Sequence, residues 1–320
     1  MSNSVFIKGL RGLAALEKSM ADSGCVATIG SFDGVHRGHQ VLVKSVLSVA
    51  KERNLPSVVM LFEPQPYEFF SREKAPARLM RLREKVCALF DQGIDHILCL
   101  KFNHAFRSLS AEEYIQQVLV KGLGVRHLVI GDDFRFGCDR AGDYTMLQQA
   151  GKLKGFSVSD TRTLADDSRR ISSTRIRELL EHDQLAEAEA LLGRKFSVSG
   201  KVVYGRQLGR TIGFPTVNIG LGRYRSPVKG VYAVRVEHDG EYLNGVANVG
   251  VRPTVGGLEK PLLEVHILSF SQNLYGSFLT TIFLHKIREE KTFASLVELK
   301  AQIKEDAITA QDFFTLNRLS

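Results

Sequence analysis

The feature that most constrains this chain is a change of hydrophobic period near residue 190. Ahead of it, short apolar runs alternate with helical segments. Cys25–Gly30 (CVATIG), Pro56–Phe62 (PSVVMLF), His96–Leu100 (HILCL) and His127–Gly131 (HLVIG) read as buried strands. Between them His39–Glu52, Arg81–Gln92 and Ala111–Val120 read as helices, the last opening on the capping box Ser110-Ala-Glu-Glu113. Strands separated by helices imply parallel pairing through right-handed crossovers. Two further helices are expected at Ser173–His182 and Gln184–Leu192. Past them the texture becomes β-branched: Phe196–Tyr204, Gly230–His238, Tyr242–Val249, Leu262–Phe270 and Phe278–Lys286, with turns such as His238-Asp239-Gly240 between some of them. Strands in succession suggest an antiparallel barrel or sandwich. Phe293–Phe314 returns to helical period. The expected fold class is α/β plus β: a Rossmann-like parallel sheet with helices, then an antiparallel β-barrel with a terminal helix. The expected domains are 1–186 and 187–320.

A length of 320 residues suits two domains, and 44% hydrophobic content excludes a disordered chain. The 28 Gly and 8 Pro lack the period of a fibrous or low-complexity protein. Four cysteines without CxxC spacing argue against a zinc site or a disulfide framework. Met1–Ala15 has no apolar signal region and no apolar run reaches spanning length, so a soluble, cytoplasmic protein is expected. The net charge of +8 is uneven. Residues 1–190 hold 26 basic and 24 acidic residues, whereas 191–320 hold 17 and 11. Residues 191–230 hold eight basic residues and no acid: Arg194, Lys195, Lys201, Arg206, Arg210, Arg223, Arg225 and Lys229. Nucleic acid, an acidic membrane surface and small phosphorylated ligands all fit such an excess.

Ligands in open α/β sheets sit beyond the carboxyl ends of the strands. After the first strand comes Gly30-Ser-Phe-Asp-Gly-Val-His-Arg-Gly-His39, with His36 and His39 on one side of a starting helix. A helix N-terminus and two imidazoles suit an anionic phosphate. Gly30, Gly34 and Gly38 permit close backbone approach. Phe62-Glu-Pro-Gln-Pro66 ends the second strand and Gly131-Asp-Asp-Phe-Arg-Phe-Gly137 the fourth. Rings beside Arg there would stack on a planar ligand or simply fill the core. Ile171-Ser-Ser-Thr-Arg-Ile-Arg177 opens a helix with hydroxyls and guanidiniums, as a plain N-cap or a second phosphate clamp. In the second half, Gly200–Asn218 is Gly-rich and basic but lacks the Walker pattern. Its glycines with Lys201, Arg206 and Arg210 suit phosphate held by backbone N–H groups.

Together these segments resemble the bacterial bifunctional riboflavin kinase/FAD synthetase family over nearly the whole chain. The first part is similar to the HxGH nucleotidyltransferases. The family patterns GxFDGxHxGH, FxPxP, GxDFRFG and ISSTxxR fall on Gly30/Phe32/Asp33/His36/Gly38/His39, Phe62/Pro64/Pro66, Gly131/Asp133/Phe134/Arg135/Phe136/Gly137 and Ile171–Arg177. Between the two prolines, where the family often has His, this chain has Gln65. In the second part Pro215-Thr-Val-Asn218 matches the kinase PTxN motif, and Asn248-Val-Gly-Val-Arg-Pro-Thr254, Leu263-Glu-Val-His-Ile267, Leu274-Tyr-Gly276 and Ile287-Arg288 match later positions.

The resemblance implies an enzyme that phosphorylates riboflavin to FMN and adenylylates FMN to FAD, with ATP as donor and Mg²⁺ as the metal. It implies Glu264, His36, His39, Ser172 and Arg175 as catalytic residues. ATP would meet Gly30, Phe32, Asp33, Gly38, Ser173 and Thr174 in the first domain, and Gly200, Lys201, Gly205, Gly209, Gly213 and Pro215 in the second. The flavin would meet Phe62, Pro64, Pro66, Asp133, Phe134 and Arg135, and in the second domain Arg252, Leu268 and Tyr275. Thr216 and Asn218 would place the metal. Arg288 stands as a further ligand contact. The implied partners are small nucleotides and flavins, with no nucleic acid or membrane and room for a weak homo-oligomer. An RNA-binding or tRNA-charging protein is the first alternative, opposed by the absence of a KMSKS-like loop and of an RNP-like aromatic pattern. A flavin-storage module is the second, and it would need neither Glu264 nor metal ligands.

Overall fold

The computed structural model describes residues 4–9, 23–71, 74–131, 133–161, 165–166, 169–204, 214–221, 225–253 and 259–318. The chain divides into two compact units, residues 1–75 with 80–173, and residues 76–79 with 174–320.

The first unit is a six-stranded sheet of β1 (Val5–Lys8), β2 (Cys25–Ile29), β3 (Ser57–Glu63), β4 (His96–Lys101), β5 (Val125–Gly131) and β6 (Ser157–Thr161), in the order β1-β4-β3-β2-β5-β6. Every pair is parallel. Helices cover both faces, which is why the central strands are continuous apolar runs. Cys25, Ala27 and Ile29 join one core and Val26, between them, the other. The second core is completed by Leu42, Val43 and Val46 of α1 (Arg37–Arg53) and Leu89 of α3 (Leu82–Phe90). A six-residue helix, α2 (Pro66–Ser71), separates β3 from α3. After β4 come α4 (His104–Arg107) and α5 (Ala111–Tyr114). The predicted capping box is present, with the Glu113 amide donating to Ser110 Oγ and the Ser110 amide to the Glu113 carboxylate. The helix continues through Ile115–Val120 as π-helix. The α6 helix (Tyr144–Lys154) leads into β6, and β7 (Ala165–Asp166) pairs with β8 (Arg169–Arg170) as a small antiparallel ribbon. Pattern alone did not foresee β1, β6, this ribbon or, later in the chain, the strand Val217–Gly220.

In the second unit α7 (Ser173–Glu181) and α8 (Leu185–Leu192) precede the strands. The boundary expected after residue 186 lies within α8. Six strands close an antiparallel barrel: β9 (Ser197–Val203), β10 (Val217–Gly220), β11 (Gly230–His238), β12 (Glu241–Pro253), β13 (Glu259–Ile267) and β14 (Phe278–Arg288), in the order β10-β13-β12-β11-β14-β9 with β9 pairing back to β10. Asp239 (φ 50°) and Gly240 (φ 85°) make the predicted β11–β12 turn, the positive-φ geometry that suits the twist of a two-residue hairpin. The helix α9 (Leu296–Leu316) seats Ala310 and Phe314 against Ala233 on the barrel wall.

Two ion pairs fasten helices to the barrel. Between α7 and α8, Asp183 accepts from Tyr232 Oη at 2.5 Å and from Lys286 Nζ at 2.8 Å. Arg288 grips Asp306 of α9 in a bidentate pair, Nε–Oδ1 and Nη2–Oδ2 both 2.8 Å. The Arg288 and Asp306 side chains are 19% and 4% exposed, so removing one partner leaves the other charge inside. Asp306→Ala should lower unfolding stability of the second unit by about 3 kcal/mol, read from urea unfolding. A loss under about 0.5 kcal/mol would mean water or a neighbouring group takes over the guanidinium.

Candidate active sites in the two units

In the first unit the turn from β2 to α1 is built around its histidines. His36 is the N-cap of α1. The His39 backbone N–H donates to His36 Nδ1 at 3.3 Å. An accepting Nδ1 fixes the neutral tautomer with its proton on Nε2. The two imidazoles stack at 3.7 Å between centroids and 16° between planes, and Phe32 tilts against His39 at 5.0 Å. A Cβ on Gly38 would press on the His36 ring at 3.2 Å and meet the Ile171 carbonyl at 3.4 Å. Glycine thus leaves room where the ISST segment approaches the histidines, and a side chain there would push on both by a few tenths of an ångström.

Asp33 is 1% exposed. Its Oδ1 accepts from the Met80 amide at 3.0 Å, and its carbonyl accepts from Ser173 Oγ at 2.8 Å. Both of these groups hold the loop together. Lys85, unremarked in the sequence, is 2% exposed and donates through Nζ to the Ser31 carbonyl. His39 is held well below the usual imidazole range, first by burial and then by the neighbouring His36, Lys85 and Arg170. It is neutral at pH 7, and its Nδ1 is buried without a hydrogen-bond partner. Ser172 lies half-buried beside Ile171, while exposed Thr174 and half-buried Arg175 follow on the first turn of α7.

The other predicted residues of this unit lie at the carboxyl ends of β3 and β5. Phe62 contacts Phe106 at 5.3 Å, Phe106 contacts Tyr114 at 5.9 Å, Tyr114 contacts Phe136 at 5.2 Å, and Phe136 stacks on Phe134 at 5.8 Å. A line of rings thus joins the FxPxP and GxDFRFG segments. Phe106 and Tyr114 close it and carried no motif of their own. Pro66 opens α2 and Pro64 is half-buried two residues ahead of it. Asp133 pairs with Arg170 at 3.0 Å and Arg135 with Asp143 at 3.4 Å, all partly exposed.

In the second unit Gly205, Arg206, Gly209, Arg210, Gly213 and Arg223 lie outside the described residues. Gly200 and Lys201 sit on β9, Lys201 exposed. Pro215, Thr216 and Tyr275 line one cleft of about 360 Å³ with Val265, Ile267 and the 270–274 loop. Tyr275 stacks on Tyr204 at 4.1 Å, and the Gly276 amide donates to the Val202 carbonyl at 3.2 Å. The residue expected beside the flavin therefore shares a cleft with three residues of the PTxN motif, Pro215, Thr216 and Val217. His266 Nδ1 lies 2.8 Å from the Pro215 carbonyl. A carbonyl only accepts, so this nitrogen carries the proton and steadies the peptide ahead of Thr216. Asn218 of β10 stands directly opposite Glu264 of β13, which stands directly opposite Asn248 of β12. Asn218 is 5% exposed and its Oδ1 has no hydrogen-bond partner. Leu268 packs against the Ala310–Phe314 cluster under α9. Arg252 lies on β12. Arg288 is engaged by Asp306, as described above, and is a tie between barrel and helix. No group of three His, Cys, Asp or Glu side chains suited to a metal occurs among the described residues.

The FAD synthetase family profile matches residues 18–175 and the riboflavin kinase profile residues 192–314. This chain belongs to the bifunctional riboflavin kinase/FMN adenylyltransferase family. It is 52% identical over 313 residues to the bifunctional riboflavin kinase/FMN adenylyltransferase of Escherichia coli K12, covering 98% of this chain and 99% of that one. The namesake of Haemophilus influenzae is 50% identical over 306 residues, 95% of this chain and 98% of that one. A solved structure from Streptococcus pneumoniae, described as a macrolide-efflux protein, superposes with a TM-score of 0.78 at 30% identity, covering 97% of this chain and 99% of that one. Among the described residues no helix is long and apolar enough to cross a membrane. The two family profiles fall one on each unit, FAD synthetase on the α/β sheet and riboflavin kinase on the barrel.

The displaced titration of His39 has a consequence for stability. Its folded pKa lies below the ordinary 6.5, so as pH falls past about 6.5 the unfolded chain takes up a proton that the folded chain refuses. This part of the stability is fully present above that pH and is lost on acidification. His39→Gln removes the proton uptake. Its urea midpoint should therefore fall less than that of the parent between ~pH 7.5 and ~pH 5. Equal falls would mean His39 titrates normally in the fold.

Proposed function

We propose that the two units act in sequence, the barrel phosphorylating riboflavin with ATP to give FMN and the α/β unit adenylylating FMN with a second ATP to give FAD and pyrophosphate. What most directly supports a kinase site on the barrel is the pairing of a carboxylate, Glu264, with the buried unpartnered Oδ1 of Asn218 across one strand step.

Glu264 accepts the proton of the ribityl 5′-hydroxyl as its oxygen attacks the γ-phosphorus of ATP. Thr216 and Asn218 supply neutral oxygens, a donor set that suits Mg²⁺, and the orphaned Asn218 oxygen fits such a partner. Bound there, the ion would offset charge on the ATP phosphates. Pro215 and the β9 residues Gly200 and Lys201 border the nucleotide, with Gly205, Gly209 and Gly213 in the same motif. Arg252, Leu268 and Tyr275 are assigned to the flavin.

In the α/β unit the FMN phosphate attacks the α-phosphorus of ATP directly, with no covalent enzyme intermediate. His36, with its proton held on Nε2, and neutral His39 donate to phosphate oxygens, and Ser172 and Arg175 stabilise charge on the departing pyrophosphate. Gly30, Phe32, Asp33, Gly38, Ser173 and Thr174 form the ATP wall, Asp33 by fixing the loop. Phe62, Pro64, Pro66, Asp133, Phe134 and Arg135 border the isoalloxazine at the carboxyl ends of β3 and β5. Domain limits of 1–186 and 187–320 accommodate both family matches. A cytoplasmic setting, small-molecule partners and at most weak self-association complete the reading.

Chromatography of flavins formed from riboflavin, ATP and Mg²⁺ tests the scheme. Glu264→Ala should lower FMN formation by a factor of about 10³ or more, while supplied FMN is still converted to FAD. Combined His36→Ala and His39→Ala should let FMN accumulate without FAD. Loss of both steps together in either folded variant would sink the two-site scheme.

A further inference from the structure

Asn248 of β12 opens a segment that matched the family, and its position in the barrel gives it a role the match did not assign. Three adjacent strands bring Asn218, Glu264 and Asn248 into one row, each directly opposite the next. Their chain neighbours Ile219, Leu263, Val265, Ala247 and Val249 are buried in the barrel core. By strand alternation the row therefore lies on the other face of the wall. The outer two members share an anomaly, for Oδ1 of Asn218 and Oδ1 of Asn248 are both buried and both lack a hydrogen-bond partner. Buried carbonyl oxygens are almost always paired, so each position calls for something the chain does not itself supply.

The two oxygens do not share one occupant. Strands lie about 4.8 Å apart, so the outer members stand about 10 Å apart with Glu264 between them. A Mg²⁺ ion with bonds of about 2.1 Å does not bridge that span around an intervening carboxylate. Asn218 belongs to the PTxN segment assigned to the metal and ATP, which makes that flank the phosphate-donor side of the base. The Asn248 flank is then the acceptor side. A carboxamide oxygen there seeks a donor, and on riboflavin the neighbours of the reacting 5′-hydroxyl are further hydroxyls of the ribityl chain.

We propose that Asn248 is a substrate-binding residue of the kinase site, its Oδ1 accepting a hydrogen bond from a ribityl hydroxyl and so selecting a polyol-bearing flavin. The inference rests on the reading of Glu264 as the kinase base.

The test is fluorescence titration of the full chain, with ADP and Mg²⁺ present, using riboflavin and lumiflavin, which carries the same ring system with a methyl group in place of the ribityl chain. Asn248→Leu keeps the bulk and removes the acceptor. Riboflavin Kd should rise about tenfold, the worth of one satisfied polar contact, with lumiflavin and ADP Kd within about twofold of the parent. Conversion of supplied FMN to FAD should be unchanged. Asn248→Ala, read the same way, covers the case in which leucine distorts the barrel. Unchanged riboflavin binding in the folded variants overturns the proposal. So does equal weakening of riboflavin and lumiflavin, which would place the contact on the ring. So does weakening of ADP alone, which would place Asn248 on the donor side. Glu264→Gln separates the two readings: it should bind riboflavin as the parent does and turn over none. Turnover by that variant would remove Glu264 as base while leaving the Asn248 contact to its own titration.

Discussion

The hydrogen bond from the His39 amide to His36 Nδ1 is the contact on which the α/β unit's candidate site is organised. It caps α1, so a free N–H of the helix end is satisfied by a side chain of the motif itself. It also fixes which imidazole nitrogen carries the proton. Gly38 keeps space beside the stacked rings, since a side chain there would press on His36. The Asp33 carboxylate on Met80 and the Lys85 ammonium on Ser31 hold the rest of the turn. A capping interaction of ordinary strength thus sets the tautomer, the stacking and the place of approach of the ISST segment together.

The barrel solves a different problem. Its site residues come from strands far apart in sequence, and only register aligns them. Closure leaves no open sheet edge. The helices that precede and follow the strands are tied down by Asp183 with Tyr232 and Lys286, and by Arg288 with Asp306. In the proposed scheme the first unit would hold phosphate with helix ends and imidazoles, the second with neutral amide and hydroxyl oxygens around a carboxylate.

Much of this was legible beforehand because period is a local property. The runs at Cys25, Pro56, His96 and His127 became β2 to β5, and Gly230–His238 became β11 without a shift at either end. The strands that escaped notice are those whose residues carry another signal. The β1 segment is short and half exposed, β6 (SVSDT) is polar because it lies at a sheet edge, and β10 was read as a metal motif. Helix caps follow the same rule: the Ser110 box is written in four adjacent residues, whereas the His36 cap is visible only once the turn is formed. The site was legible as a list of motifs and not as an arrangement. Sequence named Asp33 and Arg288 without indicating that their polar groups are engaged with Met80 and Asp306. It gave Tyr275 and the PTxN motif separately, without indicating that Tyr275 shares a cleft with Pro215 and Thr216. It gave no hint of Lys85, His266 or the ring contacts of Phe106 and Tyr114, for these depend on long-range packing.

The row of Asn218, Glu264 and Asn248 also bears on how the protein matures. Its members arrive on three strands, and the one between them in space is the last of the three in the chain. A nascent or partly folded barrel therefore holds no reduced version of the site. On the proposed kinase reading, competence of this half arises only when β13 inserts between β10 and β12, so an unfinished chain would have no means of consuming ATP there.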